Sequence, residues 1–236
     1  MKAMILAAGR GERMRPLSDA LPKPLLEVGG KPLIVWQLER LVTAGCADVV
    51  VNLAYRGEMI AAALGDGSRF GAVVRYSREP EPLEVGGGIA TALPLLGDDV
   101  VLVVSGDVYA ECNYASLVAR AAAMSATAAP PHLHLVMVPN PAYHPAGDFA
   151  LADGRLSLDG ALRQTFGNVA LYRTSLFRGL RRGEKLPMLP LYRDWIGRGW
   201  ASGELHTGIW ANAGTPDELA ALDRLLRSAP RPGSPQ

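Results

Sequence analysis

The chain has 236 residues, half of them hydrophobic (49%), with 24 basic and 23 acidic side chains and a formal charge of +1. That length suits one large domain or a core with a sub-domain, and the apolar share is enough for a sizeable core. The near-zero charge gives no electrostatic case for nucleic acid or an acidic membrane as partner. Two cysteines, Cys46 and Cys112, do not make a disulfide framework. The apolar run at 100–104 is too short to span a bilayer, and Gly9-Arg10 ends the N-terminal apolar patch too early for a signal peptide. These features predict a soluble, reduced, cytoplasmic protein.

In chain order, residues 4–8 read as a buried strand. Residues 32–44 read as a helix, with an apolar stripe from Leu33 to Val42 and a stop at Gly45. Strands follow at 48–53, 73–76, 100–104 and 132–138. Helices fall between them at 57–64, 88–95 and 114–124. Such alternation implies crossover connections, and so a single Rossmann-like α/β domain with a mostly parallel central sheet and helices on both faces. After Asn140 the pattern changes: 149–152, 155–158 and 164–172 resemble small antiparallel strands, read as a lid within an insert at 141–172. A helix at 186–198, a strand at 206–211 and a helix at 216–227 complete the domain, taken as 1–227. The Pro- and Ser-rich tail, 228–236, is expected to be disordered.

The strongest chemical signal is the first turn, Gly9-Arg10-Gly11-Glu12-Arg13-Met14-Arg15-Pro16, followed by Pro22-Lys23-Pro24. Glycines after a buried strand let backbone N–H groups approach an anion, and the basic side chains suit a polyphosphate. A dinucleotide fingerprint would need a third glycine where Met14 stands. A Walker loop would need a hydroxyl after Gly30-Lys31, where Pro32 stands. Only four lysines occur, Lys2, Lys23, Lys31 and Lys185. A lysine in this Arg-rich chain is therefore a candidate for a role needing a compact charge.

Three further motifs follow. Glu81-Pro82-Leu83-Glu84-Val85-Gly86-Gly87-Gly88 reads as a tight loop whose glycines suit a backbone lying against a planar base. An ionised Glu81 accepts hydrogen bonds only, so it could meet the N3–H of uracil or the donor edge of guanine. Ser105-Gly106-Asp107 closes an apolar strand at the edge where open α/β sheets bind ligands, and its carboxylate suits Mg²⁺. Asn212-Ala213-Gly214-Thr215-Pro216 offers a neutral amide oxygen and then a helix start, with Thr215 as cap. His132, His134, His144 and His206 show no metal spacing and no matched acid in the sequence, and read as structural.

The run from Met4 to Leu17 with Pro22-Lys23-Pro24-Leu25 resembles the signature of the sugar-1-phosphate nucleotidylyltransferases. The pattern is nearest to their short branch, the N-acetylmuramate α-1-phosphate uridylyltransferases. Leu64 to Gly71, Glu81 to Ile89, Leu93 to Gly97, Gly106-Asp107-Val108, Val138 to Pro141, Gly147-Asp148-Phe149 and Gly214-Thr215 echo it. The resemblance covers residues 1 to about 226 and implies a GT-A-like fold. It implies Mg²⁺-dependent transfer of a nucleotidyl group, UTP being the expected donor, to a sugar 1-phosphate in peptidoglycan sugar recycling. A monomer or small homo-oligomer is expected, with no nucleic-acid or membrane partner.

By the same resemblance, Arg13, Lys23 and Asp107 are catalytic. Ala7, Ala8, Gly9, Gly11, Glu12, Arg13, Lys23, Glu81, Gly86, Gly87 and Ser105 hold the nucleotide. Asn140, Gly147, Asp148 and Asn168 hold the sugar. Asp107 and Asn212 ligate Mg²⁺. Three positions depart from the family pattern: Ser105 replaces a usual Asn, Asn168 a usual Gly and Asn212 a usual Asp. Lys185 resembles a family Lys-Leu-x-Pro segment, but the reading favours a surface lysine. A mannose-1-phosphate guanylyltransferase shares the phosphate and metal motifs, and a non-catalytic nucleotide-sensing domain is the reading from another class.

Overall fold

The computed structural model describes residues 1–228; the expected disorder of the tail falls, apart from Ser228, outside the described residues. In chain order the elements are β1 (Lys2–Leu6), α1 (Leu17–Ala20), β2 (Glu27–Val28), β3 (Lys31–Pro32), α2 (Leu33–Thr43), β4 (Asp48–Leu53) and α3 (Gly57–Leu64). Then come β5 (Val73–Arg78), α4 (Glu84–Leu96), β6 (Val100–Ser105), β7 (Val108–Ala110), α5 (Tyr114–Ser125) and β8 (Leu133–Val138). The last are β9 (Phe149–Ala152), β10 (Arg155–Ser157), β11 (Arg163–Arg173), α6 (Met188–Gly197), β12 (Ala201–Leu205), β13 (Trp210–Asn212) and α7 (Pro216–Ser228).

Nine strands form one sheet in the order β5-β4-β1-β6-β11-β8-β12-β10-β9. The apolar runs feed two cores by the period-two alternation of strands. Ala3, Ile5, Val49, Val51, Leu102 and Val104 face one core, closed by α2, α3 and α5. Met4, Val50, Val101 and Val103 face the other, closed by α4 and α6. The expected α/β domain with helices on both faces is therefore observed. Among the described residues no helix is long and apolar enough to cross a membrane.

The antiparallel segment is no lid. β11 lies between β6 and β8, antiparallel to both, so the sheet is mixed: β5-β4-β1-β6 is parallel, and the antiparallel pairings begin at β11. Val169 and Leu171 enter one core and Ala170 and Tyr172 the other, which is the signature of a central strand. The expected strand at 206–211 overlaps only the start of β13; β12 ends before it, at Leu205, and neither β12 nor β7 was anticipated. Of the tight loop expected at Glu81 to Gly88, the part from Glu84 onward is the start of α4.

Candidate active site

Strands β1, β4, β5 and β6 all end at one edge of the sheet, the edge where α/β sheets place ligands. A cleft of about 620 Å³ opens there. Its floor is the turn from Ala7 to Glu12 together with Lys23, Ser105 and Asp107. Gly11 has a left-handed backbone, φ +62°, and a Cβ there would press on the Lys23 stem at 3.1 Å. Glycine thus lets the turn wrap around Lys23. Around Gly9 nothing lies within 4 Å of a built Cβ, which leaves its backbone open to the cleft.

Lys23 is the centre of the site. It is buried, and its Nζ donates to Asp107 Oδ2 at 2.7 Å and to Asn212 Oδ1 at 3.2 Å. The three residues are brought together by the small β7–β13 ribbon, which pairs Asn212 with Val108, next to Asp107. Two hard oxygens, one charged and one neutral, therefore converge on a single cation. That donor set suits Mg²⁺, which takes one or two protein carboxylates and completes its shell with phosphate and water oxygens. Among the described residues no group of three or more His, Cys, Asp or Glu forms a closed metal cage.

The wall beyond holds a buried polar pair that the sequence reading missed. Asn52, at the end of β4, accepts from the Ala7 N–H (2.8 Å) and donates to Glu79 Oε1 (2.7 Å). Glu79 Oε2 accepts from the Leu83 N–H at 3.0 Å. Burial pushes the Glu79 carboxyl up from its usual range, against the pull of these hydrogen bonds. Both residues line the cleft. Glu81 also lines it, at the rim, where Lys185 Nζ pairs with its Oε2 at 2.7 Å. Lys185 is thus an exposed surface lysine, as read, that also lines the cleft.

Several expected contacts are corrected by this geometry. Gly86 and Gly87 are buried behind the cleft, not on its wall. A Cβ on Gly87 would stand 2.2 Å from the Glu184 carbonyl, and one on Gly86 2.7 Å from that of Leu186. The glycines thus let segment 184–186 pack on α4. Glu84 leads α4 with a left-handed φ of +62° and lines the cleft. Arg13 is exposed and off the cleft wall; a Cβ on Gly214 would lie 3.5 Å from its guanidinium carbon, at the start of α7. Thr215 caps α7 as expected, with Glu218 reaching back to the N–H groups of Gly214 (2.8 Å) and Thr215 (3.0 Å).

A second cavity, about 360 Å³, is lined in part by Asn212, which accepts from Lys23 of the first. β11 runs past the end of β6, so its residues Thr165, Phe166 and Asn168 form a wall with Asp148, Tyr192 and Trp210. Asn168 lies in a bulge of β11 with φ +58°, a conformation open to Asn and Gly, which accounts for Asn in place of Gly. Asp148 and Asn168 line this cavity, but Asn140 and Gly147 do not. The Asn140 amide is consumed in bracing the loop: it donates to the carbonyls of Pro145 and Arg163, both at 3.0 Å, and accepts from Thr165 Oγ1 at 2.9 Å. Gly147, at φ +61°, is needed for space, since a Cβ would stand 2.7 Å from Asn140 Oδ1.

Two histidines do have matched acids. Buried His134 meets Glu204 Oε2 at 3.2 Å and Ser202 Oγ at 2.9 Å, a structural role as read. His144 Nε2 meets Asp148 Oδ1 at 3.1 Å.

Comparison with known proteins adds three findings. Residues 2–139 match the family described as nucleotidyl transferase. The N-acetylmuramate α-1-phosphate uridylyltransferase of Neisseria meningitidis serogroup B is 47% identical over 95% of this chain and 98% of its own length. That of Caulobacter vibrioides is 34% identical over 96% and 97%. The mannose-1-phosphate guanylyltransferase of Mycobacterium tuberculosis is 37% identical, but over only 49% of this chain and 32% of its own. Among solved structures, a Bacillus anthracis protein crystallised with sucrose superposes with a TM-score of 0.85 at 19% identity, over 98% of this chain and 96% of that one. HddC of Yersinia pseudotuberculosis, complexed with GMP-PN, gives 0.75 at 19% identity, over 95% and 98%. At such identity these two speak for the fold alone.

Proposed function

Because the chain belongs to the nucleotidyl transferase family, we propose that it transfers the uridylyl group of UTP to N-acetylmuramic acid 1-phosphate, releasing pyrophosphate. Full-length similarity to two relatives of that activity supports the choice of donor and acceptor. The observation that carries the reaction class is the convergence of Lys23 and Asp107, from the larger cavity, with Asn212, from the smaller. The larger cavity has the size and the glycine-lined turn for a nucleoside triphosphate. The smaller has aromatic walls for a sugar ring. A phosphate shared between them would lie beside Lys23.

An oxygen of the sugar phosphate attacks the α-phosphorus of UTP; a P–O bond forms there as the bond to pyrophosphate breaks. The attacking phosphate is already anionic, so no protein nucleophile or base is required. The open backbone from Gly9 to Gly11 seats the leaving phosphates, and Lys23 offsets charge that gathers on the α-phosphoryl oxygens. Fixing both substrates along one sheet edge supplies the entropic part of the rate. Asp107 and Asn212 would hold Mg²⁺, which when bound supplies Lewis-acid polarisation of the phosphate oxygens. With Cys46 and Cys112 unpaired and buried, the reading places the enzyme in the cytoplasm, its product entering peptidoglycan sugar recycling.

The test is pyrophosphate release from UTP, GTP, CTP and dTTP, each with N-acetylmuramic acid, N-acetylglucosamine, glucose and mannose 1-phosphates. UTP with N-acetylmuramic acid 1-phosphate should be the fastest pair. Fastest release from GTP with mannose 1-phosphate would replace this reading by a guanylyltransferase. No release from any pair would leave a nucleotide-sensing domain.

A further inference from the structure

The reaction proposed above makes no use of His144 and Asp148, yet both are built into the wall of the smaller cavity. Asp148 is fixed at both oxygens: Oδ2 accepts from the Phe166 N–H at 2.8 Å, and Oδ1 faces His144 Nε2 at 3.1 Å. The loop carrying His144 is braced in turn. The His144 N–H donates to the Pro141 carbonyl at 2.8 Å, and the His144 carbonyl accepts from the Gly147 N–H at 3.2 Å. The imidazole is thus held in one orientation on a side chain still 38% exposed. Among the described residues its Nδ1 has no hydrogen-bond partner.

A general base has no task here, because a phosphate monoester attacks as an anion. The rest of the cavity is mainly aromatic and apolar, with Phe149, Phe166, Leu189, Tyr192 and Trp210. Among the described residues lining it there is no Lys or Arg, and His144 alone can carry positive charge. With Asp148 accepting at Nε2, the ring can donate from Nδ1 as the imidazolium, balanced by its carboxylate. Such a fixed, charge-assisted donor in an apolar cavity fits one feature of a sugar substrate, a carboxylate carried on the ring by an ether arm. Neutral hexose phosphates would leave it unpaired.

We propose that His144, oriented by Asp148, selects a carboxylate-bearing sugar 1-phosphate by donating from Nδ1 to that carboxylate. The inference rests on the nucleotidyl-transfer reading. It makes His144 a specificity-determining residue and Asp148 its positioning residue, with no part in bond formation.

The test is steady-state kinetics at saturating UTP with N-acetylmuramic acid 1-phosphate and N-acetylglucosamine 1-phosphate, which share a ring and differ by the carboxylated arm. Wild type, His144→Phe and His144→Gln are compared, with melting temperatures as a check on folding. His144→Phe should cut the preference for the carboxylated sugar by about tenfold or more, through its KM, with kcat little changed. His144→Gln, which keeps a neutral donor, should recover part of that preference, and carries the comparison if the Phe variant does not fold. Equal losses for both sugars, or no change, would overturn the assignment. A wild type that turns over the neutral sugar and not the carboxylated one would overturn it while leaving nucleotidyl transfer standing. A wild type that releases no pyrophosphate from any pair would remove both.

Discussion

Replacing Lys23 by Met keeps the buried stem and removes the charge, so it isolates what the ammonium does. Its Nζ touches Asp107 at 2.7 Å and Asn212 at 3.2 Å, and its side chain is 7% exposed. Loss of one donor aimed at developing phosphoryl charge costs about 3–4 kcal/mol of transition-state stabilisation, which is roughly two to three decades in kcat. The same change leaves Asp107 without its partner. A buried charge stranded in this way costs about 3–5 kcal/mol. The Asp107 side chain, however, is 34% exposed, and water can solvate it. Screening brings the expected loss of stability to roughly 1–2 kcal/mol, so the variant should fold. A third consequence runs the other way. The ammonium occupies the position on which both oxygens proposed to hold the metal converge, so Lys23→Met should lower the Mg²⁺ concentration for half-maximal protection against thermal unfolding in the presence of product. The assays are pyrophosphate release, urea denaturation and an Mg²⁺-dependent melting series. A kcat within threefold of wild type would refute the catalytic role. An Mg²⁺ midpoint that does not fall would refute a cation position shared by lysine and metal.

Four further outcomes are expected. Asn212→Asp should stay active and lower the Mg²⁺ needed for half-maximal rate, while Asn212→Ala should raise it; midpoints unchanged in an activity titration would make Asn212 only the last residue of β13, before the Thr215 cap. Glu81→Gln should reduce use of UTP relative to the other nucleotides, and Lys185→Ala, which frees the Glu81 carboxylate, should not; each should alter stability by under about 1 kcal/mol, because both partners are more than half exposed. Competition assays with the four nucleotides decide this, and an unchanged ratio in Glu81→Gln counts against base reading. Gly87→Ala drives a methyl to 2.2 Å from the Glu184 carbonyl and should lower unfolding free energy by about 1–3 kcal/mol in urea melts, against no change if the 184–186 segment can yield. Glu204 is held below its ordinary 4.5 chiefly by the hydrogen bond from His134. The folded state then binds fewer protons, so this stabilisation is full above 4.5 and is lost as pH falls through the lower folded value. Glu204→Gln should lose less stability than wild type over that fall, and parallel acid-denaturation curves would contradict it.

The parallel half of the sheet was legible because each of its strands is a short apolar run between helical patterns, and such order admits few topologies. β11 was not. Its polar start, Arg163-Gln164-Thr165, lies beyond the end of β6, over the second cavity, and only its later residues reach the cores. A strand that is half cavity wall and half core has no single hydrophobic period to read. The miss of β12, just before the strand expected at 206–211, has a related cause. β12 is short and holds Ser202, Gly203 and Glu204, and its place in the sheet is secured by pairing with β8 across a large sequence distance.

At the site, the residues whose reason is local were legible, and those whose reason is a distant neighbour were not. Gly9, Gly11 and Asp107 follow buried strands, and a glycine turn or a strand-end carboxylate carries its meaning in its own few residues. Asn52 and Glu79 are 27 positions apart, and neither sits in a motif. What gives them meaning is that β4 and β5 end together, one Asn side chain then tying the Ala7 turn to Glu79. A weak signal existed, since Asn52 is a polar residue directly after the apolar run Val49-Val50-Val51 of β4, where burial demands that its amide be satisfied. The third glycine of Glu81 to Gly88 belongs to the same construction. A Cβ on Gly88 would stand 2.8 Å from Asn52 Nδ2 and 2.9 Å from Glu79 Oε1. The triple glycine, read from the sequence as a seat for a flat base, is thus required twice over by the protein itself. Gly86 and Gly87 let the 184–186 segment close on α4 and bring Lys185 to the cleft, and Gly88 leaves room for the polar pair that holds the Ala7 turn in place.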